Sequence, residues 1–265
     1  MADKKYEFTG IEKVNAWGYT VKQIRATEDI PYSSIRKGDL GGWIEGEQLK
    51  SGDARVSGNA WVFGDAQVFG NARVSGNAQV FGNARVSGDA RVSGNARVSG
   101  DAQVSGDARV SGNARVSGDA WVVGDAQVFG DARVSGNARV VGDAWVFGDA
   151  RVFGNARVSG DAQVFGNAQV SGDARVESRE HYIIVGPIGS EGVTATLFRT
   201  KNGKHTLNVG CWSGTLGTLS AEVKLRRESW VADDSTKDRW TAQYKALKSL
   251  GKATVTAWET PEAIS

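Results

Sequence analysis

The chain has 265 residues, and its 32 lysines and arginines against 30 aspartates and glutamates leave a formal net charge of +2. That balance gives no gross excess to attract a polyanion, which argues against nucleic-acid binding. The single cysteine, Cys211, rules out an internal disulfide framework and fits a reducing compartment.

The opening Met1–Phe8 carries no apolar leader core, and no apolar run approaches membrane-spanning length. The expectation is a soluble cytoplasmic protein with no membrane contact. Residues 1–50 are not repetitive. Tyr6–Ile11, Tyr19–Arg25 and Trp43–Ile44 predict short strands, with turns at Gly38, Gly41 and Gly42. Ile44 is in phase with Lys50 and Val56, so Trp43–Ile44 predicts a degenerate first side of a repeating structure that starts at Ser51. The segment is expected to cap a stack of strands whose first edge would otherwise be bare.

From Ser51 to Val176 one hexapeptide repeats twenty-one times without a gap: [Ser/Phe/Val]-Gly-[Asp/Asn]-Ala-[Arg/Gln/Trp]-Val. Under strand alternation Ala54 and Val56, Ala60 and Val62, and their successors point one way, and the residues between and after them point the other. The Gly-[Asp/Asn] pair turns the chain, because glycine accepts positive φ freely. Every turn bends the same way, so the economical form is a coil with three short sides per rung. That gives eighteen residues per rung, seven rungs, and roughly 34 Å of rod at the usual strand spacing of about 4.8 Å. An up-and-down meander is the alternative, but it wastes the in-phase small residue that a tight corner needs.

Position n then lies above n − 18, and the outward residues sort onto three faces. One face carries Arg55, Arg73, Arg91, Arg109, Gln127, Trp145 and Gln163 in one row, with Ser57, Ser75, Ser93, Ser111, Phe129, Phe147 and Phe165 in the other. A second has Trp61, Phe63 and Phe81 near its start, then Arg97, Arg115, Arg133 and Arg151. The third has Phe69, Trp121, Val123 and Val141, with Arg139, Arg157 and Arg175 toward its end. Stacked exposed aromatics usually mark an interface, so Phe129, Trp145, Phe147 and Phe165 are the candidate assembly residues. The alternative is that residues 177–265 fold back and cover them. Twelve arginines and twelve aspartates share the run. Asp89 before Arg91 and Asp107 before Arg109 are expected to neutralise the rows locally. The sharper reading is an anion held by Arg73, Arg91 and Arg109.

One corner stacks Asp89, Asp107, Asp125, Asp143 and Asp161, where carboxylates could hold a divalent cation. Aspartate is also a good turn residue, and no metal or cofactor is expected. The corner with Asn59, Asn77, Asn95 and Asn113 predicts an amide ladder.

After Val176 the pattern breaks. His181–Val185, Val193–Thr200 and His205–Val209 predict three strands, with a hairpin at Asn202-Gly203. Thr218–Arg227 and Ser235–Leu250 predict helices, the second with Trp240, Tyr244, Leu247 and Leu250 on one face. The domain expectation is therefore 1–50 as a β-rich cap, 51–176 as the rod and 177–265 as a small α+β domain. Gly186–Gly192 is glycine-rich, but a strand comes directly after it, so it makes a weak phosphate cradle. Cys211 near His205 and Ser213 invites a nucleophile, although a lone cysteine at a strand end is more often a packing residue.

The run resembles the hexapeptide-repeat left-handed β-helix family, in which an aliphatic residue fills each side and a small residue sits two positions before it. Val56, Val62 and their successors match the first role, and Ala54, Ala60 and their successors the second. The resemblance implies an all-β parallel solenoid, a left-handed β-helix of about seven triangular rungs, followed here by the small α+β domain. Lys37-Gly-Asp-Leu-Gly-Gly-Trp-Ile-Glu45 is similar to the lead-in of such proteins common in phage and prophage genomes. Side-by-side association is frequent in the family, so the resemblance implies a homo-oligomer, a trimer before a dimer, and a host protein as a further partner. Many relatives are acyltransferases and some are carbonic anhydrases, and both lean on histidine. This run has none. His181 and His205 are the only two in the chain, which excludes a three-histidine zinc site by count. The function expected is a non-catalytic binding or scaffold protein. The alternatives are a small-anion or nucleotide binder using the arginine rows, or an enzyme using His181, His205 or Cys211.

Overall fold

In this computed structural model the described residues are 4–30, 35–50 and 53–259. Ser51 and Gly52, which open the first hexad, lie outside them. β1 (Tyr6–Val14), β2 (Thr20–Ala26) and β3 (Leu40–Ile44) precede twenty-one strands of two or three residues, from β4 (Arg55–Val56) to β24 (Arg175–Val176). A single 3-10 turn, Arg179–His181, leads to β25 (Tyr182–Ile188), β26 (Val193–Arg199), β27 (His205–Val209), β28 (Trp212–Gly214), α1 (Leu219–Ser229) and α2 (Asp234–Glu259).

Each repeat strand pairs in parallel with the one eighteen residues on: Arg73 with Arg91, Arg91 with Arg109, Trp121 with Arg139. The twenty-one strands thus divide among three sheets of seven rungs, one of which β1–β3 extend to ten strands. The hydrogen bonds keep the same step, with Arg91 N donating to Ala108 O and Ser93 N to Val110 O, each at 2.9 Å. The alanine of each hexad and the valine two positions after it, from Ala60 to Val176, fill the interior and are essentially inaccessible. Each buried valine contributes roughly 1.5–3 kcal/mol of transfer free energy. The corner glycine is required twice over. Gly94 has φ +68°, and a Cβ there would meet Gly112 N and O at 3.0 Å.

The start of the rod is closed by β2 and β3. Trp43 and Ile44 pair in parallel with Trp61 and Val62, as the phase of Ile44 predicts, and Ile24 and Ile44 join the rod's core. The other end is closed by β26, a strand buried on both faces. Its Phe198 belongs to the rod's core and its Leu197 to a second core under the helices. Beside Phe198, on the side of β26 that faces the rod, Thr196 Oγ1 accepts from Gln169 N at 3.1 Å. Neighbouring Asn208 on β27 donates through Nδ2 to Gln169 O at 2.9 Å and Ser171 Oγ at 3.1 Å. Buried polar side chains thereby meet the last rung, where a bare edge would leave backbone groups unpaired.

Several sequence expectations change in detail. Gly186–Ile188 belongs to β25, so the turn is confined to Gly189–Gly192. Trp212–Gly214 forms a fourth strand. α2 runs nine residues past Leu250, to Glu259. Leu250 is 50 % exposed, and the buried stripe passes instead through Tyr244, Leu247, Gly251 and Val255. The cause is Gly251, which lies against Leu197 and Leu216 and lets the helix approach β26 closely.

Candidate interaction faces

The two residue sets singled out in the sequence share one sheet. Arg73, Arg91 and Arg109 occupy its lower rungs and Phe129, Trp145, Phe147 and Phe165 its upper rungs. The phenylalanine rings stack at 5.0 Å (Phe129–Phe147) and 5.4 Å (Phe147–Phe165), and Trp145 meets Phe129 edge-on at 6.1 Å. Offset stacks of this kind are favourable in themselves, but a stack on a flat face leaves its outer surface in water. Phe165 is 45 % exposed and Trp145 36 %. The C-terminal domain meets the stack at its end, where Tyr182 lies edge-on to Phe165 at 6.2 Å. Burial pushes the Tyr182 hydroxyl up to about 12, opposed by its hydrogen bond with the Phe165 backbone.

A second stack shows the contrast. Phe63 and Phe81 are parallel at 5.1 Å on another face, and the β1–β2 turn folds over them. Trp17 stacks on both rings at 5.6 Å, and Tyr19 lies 5.2 Å from Phe63. Asn15 Oδ1 holds this turn by accepting from Trp17 N and Tyr19 N, each at 2.9 Å. Phe63 is consequently 2 % exposed. Sequence reasoning missed this cover. Its signal was Trp17-Gly18-Tyr19, two aromatics on a tight turn between strands.

The two-residue spacing couples the charges at the start of the rod, where burial and Arg73 push the Arg55 guanidinium down and Asp53 opposes them. Ion pairs sit at the ends of the rod, with Lys5–Asp53 at 2.7 Å, Lys201–Asp173 at 3.0 Å and Arg199–Glu177 at 3.1 Å. Among the described residues none joins an arginine between Arg73 and Arg157 to an aspartate. The aspartates occupy the corners and the arginines the flats, and the intervening alanine turns inward. Arg139 instead lies over the Trp121 ring of the rung below, 4.7 Å from its centroid. The amide ladder is present from Asn77 onward. Asn77 donates to Asn95, Asn95 to Asn113 and Asn113 to Asp131, each at 3.1 Å. A second ladder runs from Asn137 to Asn155 at 3.3 Å and on to Asp173 at 3.4 Å.

Both histidines weighed for catalysis accept backbone N–H groups. His181 Nδ1 accepts from Glu177 N and His205 Nε2 from Leu216 N, both at 3.2 Å. Cys211 is exposed, with Arg226 Nη2 at 3.9 Å from its sulfur. Arg226 also borders a cavity of about 480 Å3 in the C-terminal domain, whose walls include Trp212, Trp230, Trp240 and Tyr244. Glu222, 2.5 Å from Arg226 Nε, raises the guanidinium above its ordinary value. Burial pushes the Tyr244 hydroxyl up.

With the geometry in place, comparison with known proteins decides the class of the rod. The family model described as the YdcK beta solenoid repeat matches residues 66–80, 78–92, 90–106, 102–118, 108–124, 126–142, 132–148 and 150–166. The rod is a repeat β-solenoid. No curated protein matches the chain. The solenoid match covers the rungs that carry both the arginine rows and the Phe129–Phe147–Phe165 stack, and it stops short of the C-terminal domain. No helix among the described residues is long and apolar enough to cross a membrane.

Proposed function

We propose that the protein is a non-catalytic scaffold that self-associates through the Phe129–Phe147–Phe165 face and presents its C-terminal domain to a partner. One observation carries this reading. The chain covers its first phenylalanine stack with its own Trp17 and Tyr19, whereas the second, over three rungs, keeps Trp145 and Phe165 exposed and Phe129 and Phe147 half-buried. An uncovered apolar ridge on an otherwise polar face is what an interface looks like before it is filled. A rigid solenoid with both ends closed supports spacing and display rather than turnover. The resemblance of Lys37–Glu45 supplies the setting, a phage- or prophage-encoded protein acting on a host factor inside a bacterial cell.

Native mass spectrometry of the purified chain tests this. A discrete oligomer carrying no extra mass is expected, with Phe147→Glu shifting the distribution of assembly states. A monomer that retains a bound small molecule would contradict it. That outcome would favour a second reading, in which the aromatic cavity beside Arg226 takes a small anionic ligand. Trp230→Ala should then release the added mass, and Phe147→Glu should not.

A further inference from the structure

The face that bears the exposed stack is divided into two halves, and the halves are complementary. Its lower rungs pair an arginine row with a serine row, ending at Arg109 and Ser111. Its upper rungs begin at Gln127 and Phe129, and the serine row becomes a phenylalanine row. We propose that the occupant of this face is a second copy of the chain lying antiparallel, about a two-fold axis that runs along the strands between those two rungs. This rests on the self-association reading and specifies its geometry.

A two-fold axis along the strand direction keeps each outward row opposite its own counterpart and reverses the order of the rungs. Phe147 then faces Ser93 of the other copy, with Phe129 over Ser111 and Phe165 over Ser75. In the other row Trp145 faces Arg91. Each large ring meets a small side chain, and a guanidinium meets an indole. The match extends over three rungs at once without distortion, because both halves are built on the same rise of about 4.8 Å. By symmetry every contact occurs twice.

Parallel association, whether two-fold or three-fold, sets each rung against itself. About a two-fold along the rod the two rows exchange, so the phenylalanines would meet Gln127, Trp145 and Gln163 of the neighbour and the ring-over-serine match would be lost. The chain already makes one of the contacts that the antiparallel arrangement needs: Arg139 lies over Trp121 at 4.7 Å. Among the described residues Arg91 makes no ion pair of its own, and a cation over the Trp145 face would be stabilised without one. The face measures roughly 34 Å along the rod and about 13 Å across. This is below the standard size of specific interfaces, in the range of weak and transient association.

The test is sedimentation velocity on the full chain through a micromolar concentration series. The wild type is expected to pass from monomer to dimer. Trp145→Arg sets a second guanidinium against Arg91 of the other copy and should hold the chain monomeric. Adding Arg91→Glu to that variant should restore the dimer, since the exchanged charges face each other only when the rods are antiparallel. In a parallel arrangement these rungs are three apart, about 14 Å, and no rescue occurs. A wild-type dimer without rescue, or a wild-type trimer, would overturn the antiparallel pairing and leave self-association standing. A wild type that stays monomeric throughout would overturn both. Restoration of the dimer also shows that the double variant is folded.

Discussion

At the scale of the residue, the repeat assigns one task to each position. Glycine takes the corner, alanine and valine the interior, and the two outward positions are left free to vary. The corner is the least forgiving. Gly94→Ala places an L-residue in the left-handed region, at a cost of about 1–2 kcal/mol, and sets its Cβ 3.0 Å from the backbone of Gly112. Gly166→Ala has the same backbone conformation, φ +60°, but nothing within 4 Å of the new Cβ. The melting temperature should therefore fall further for Gly94→Ala than for Gly166→Ala, and equal losses would contradict the stacked-corner account. Interior Val110→Ala removes two methyl groups from a sealed core and should cost about 2 kcal/mol. Seen through chemical denaturation, this should lower the midpoint. These roles were legible in the sequence because a strict period leaves each position one environment. What period alone could not give was contact geometry: Asp89 and Arg91 lie two residues apart, yet among the described residues no ion pair joins them.

At the scale of the element, the two closing structures use opposite devices. The start borrows a strand: β3 continues one sheet of the rod, and the β1–β2 turn lays Trp17 over Phe63 and Phe81. The far end inserts a plug, Phe198 on β26. Phe198→Ala should cost about 3–5 kcal/mol, and hydrogen exchange should show the loss concentrated in the last rungs and β25–β27, with the middle of the rod still protected. The hydroxyl of Tyr182 adds a pH dependence at this end. Its folded value stands at about 12, above the ordinary 10 of tyrosine. Its contribution is therefore complete below pH 10 and is lost as pH rises toward 12. A Tyr182→Phe variant should lack that alkaline loss when thermal melting is tracked against pH. The phase of Ile44 and the Asn202-Gly203 hairpin were readable before the structure. The burial of β26 on both faces was not, because Ala195, Thr196, Leu197 and Phe198 show no period that says which residue meets which layer.

At the scale of the whole molecule, closure of both ends leaves the long faces as the surfaces through which copies can meet. The arginine and phenylalanine sets were visible as rows, and assigning them to one face needed only the eighteen-residue rise. Their relation as complementary halves required the register to be seen intact from rung to rung, since one skipped residue would have moved them onto different faces. The central claim is lateral association along a solenoid of fixed length. Small-angle X-ray scattering across the association range tests it most directly. The account predicts that mass per unit length doubles with concentration while the length of the rod stays nearly constant. Constant mass per unit length, with the particle unchanged or lengthened end to end, would contradict it.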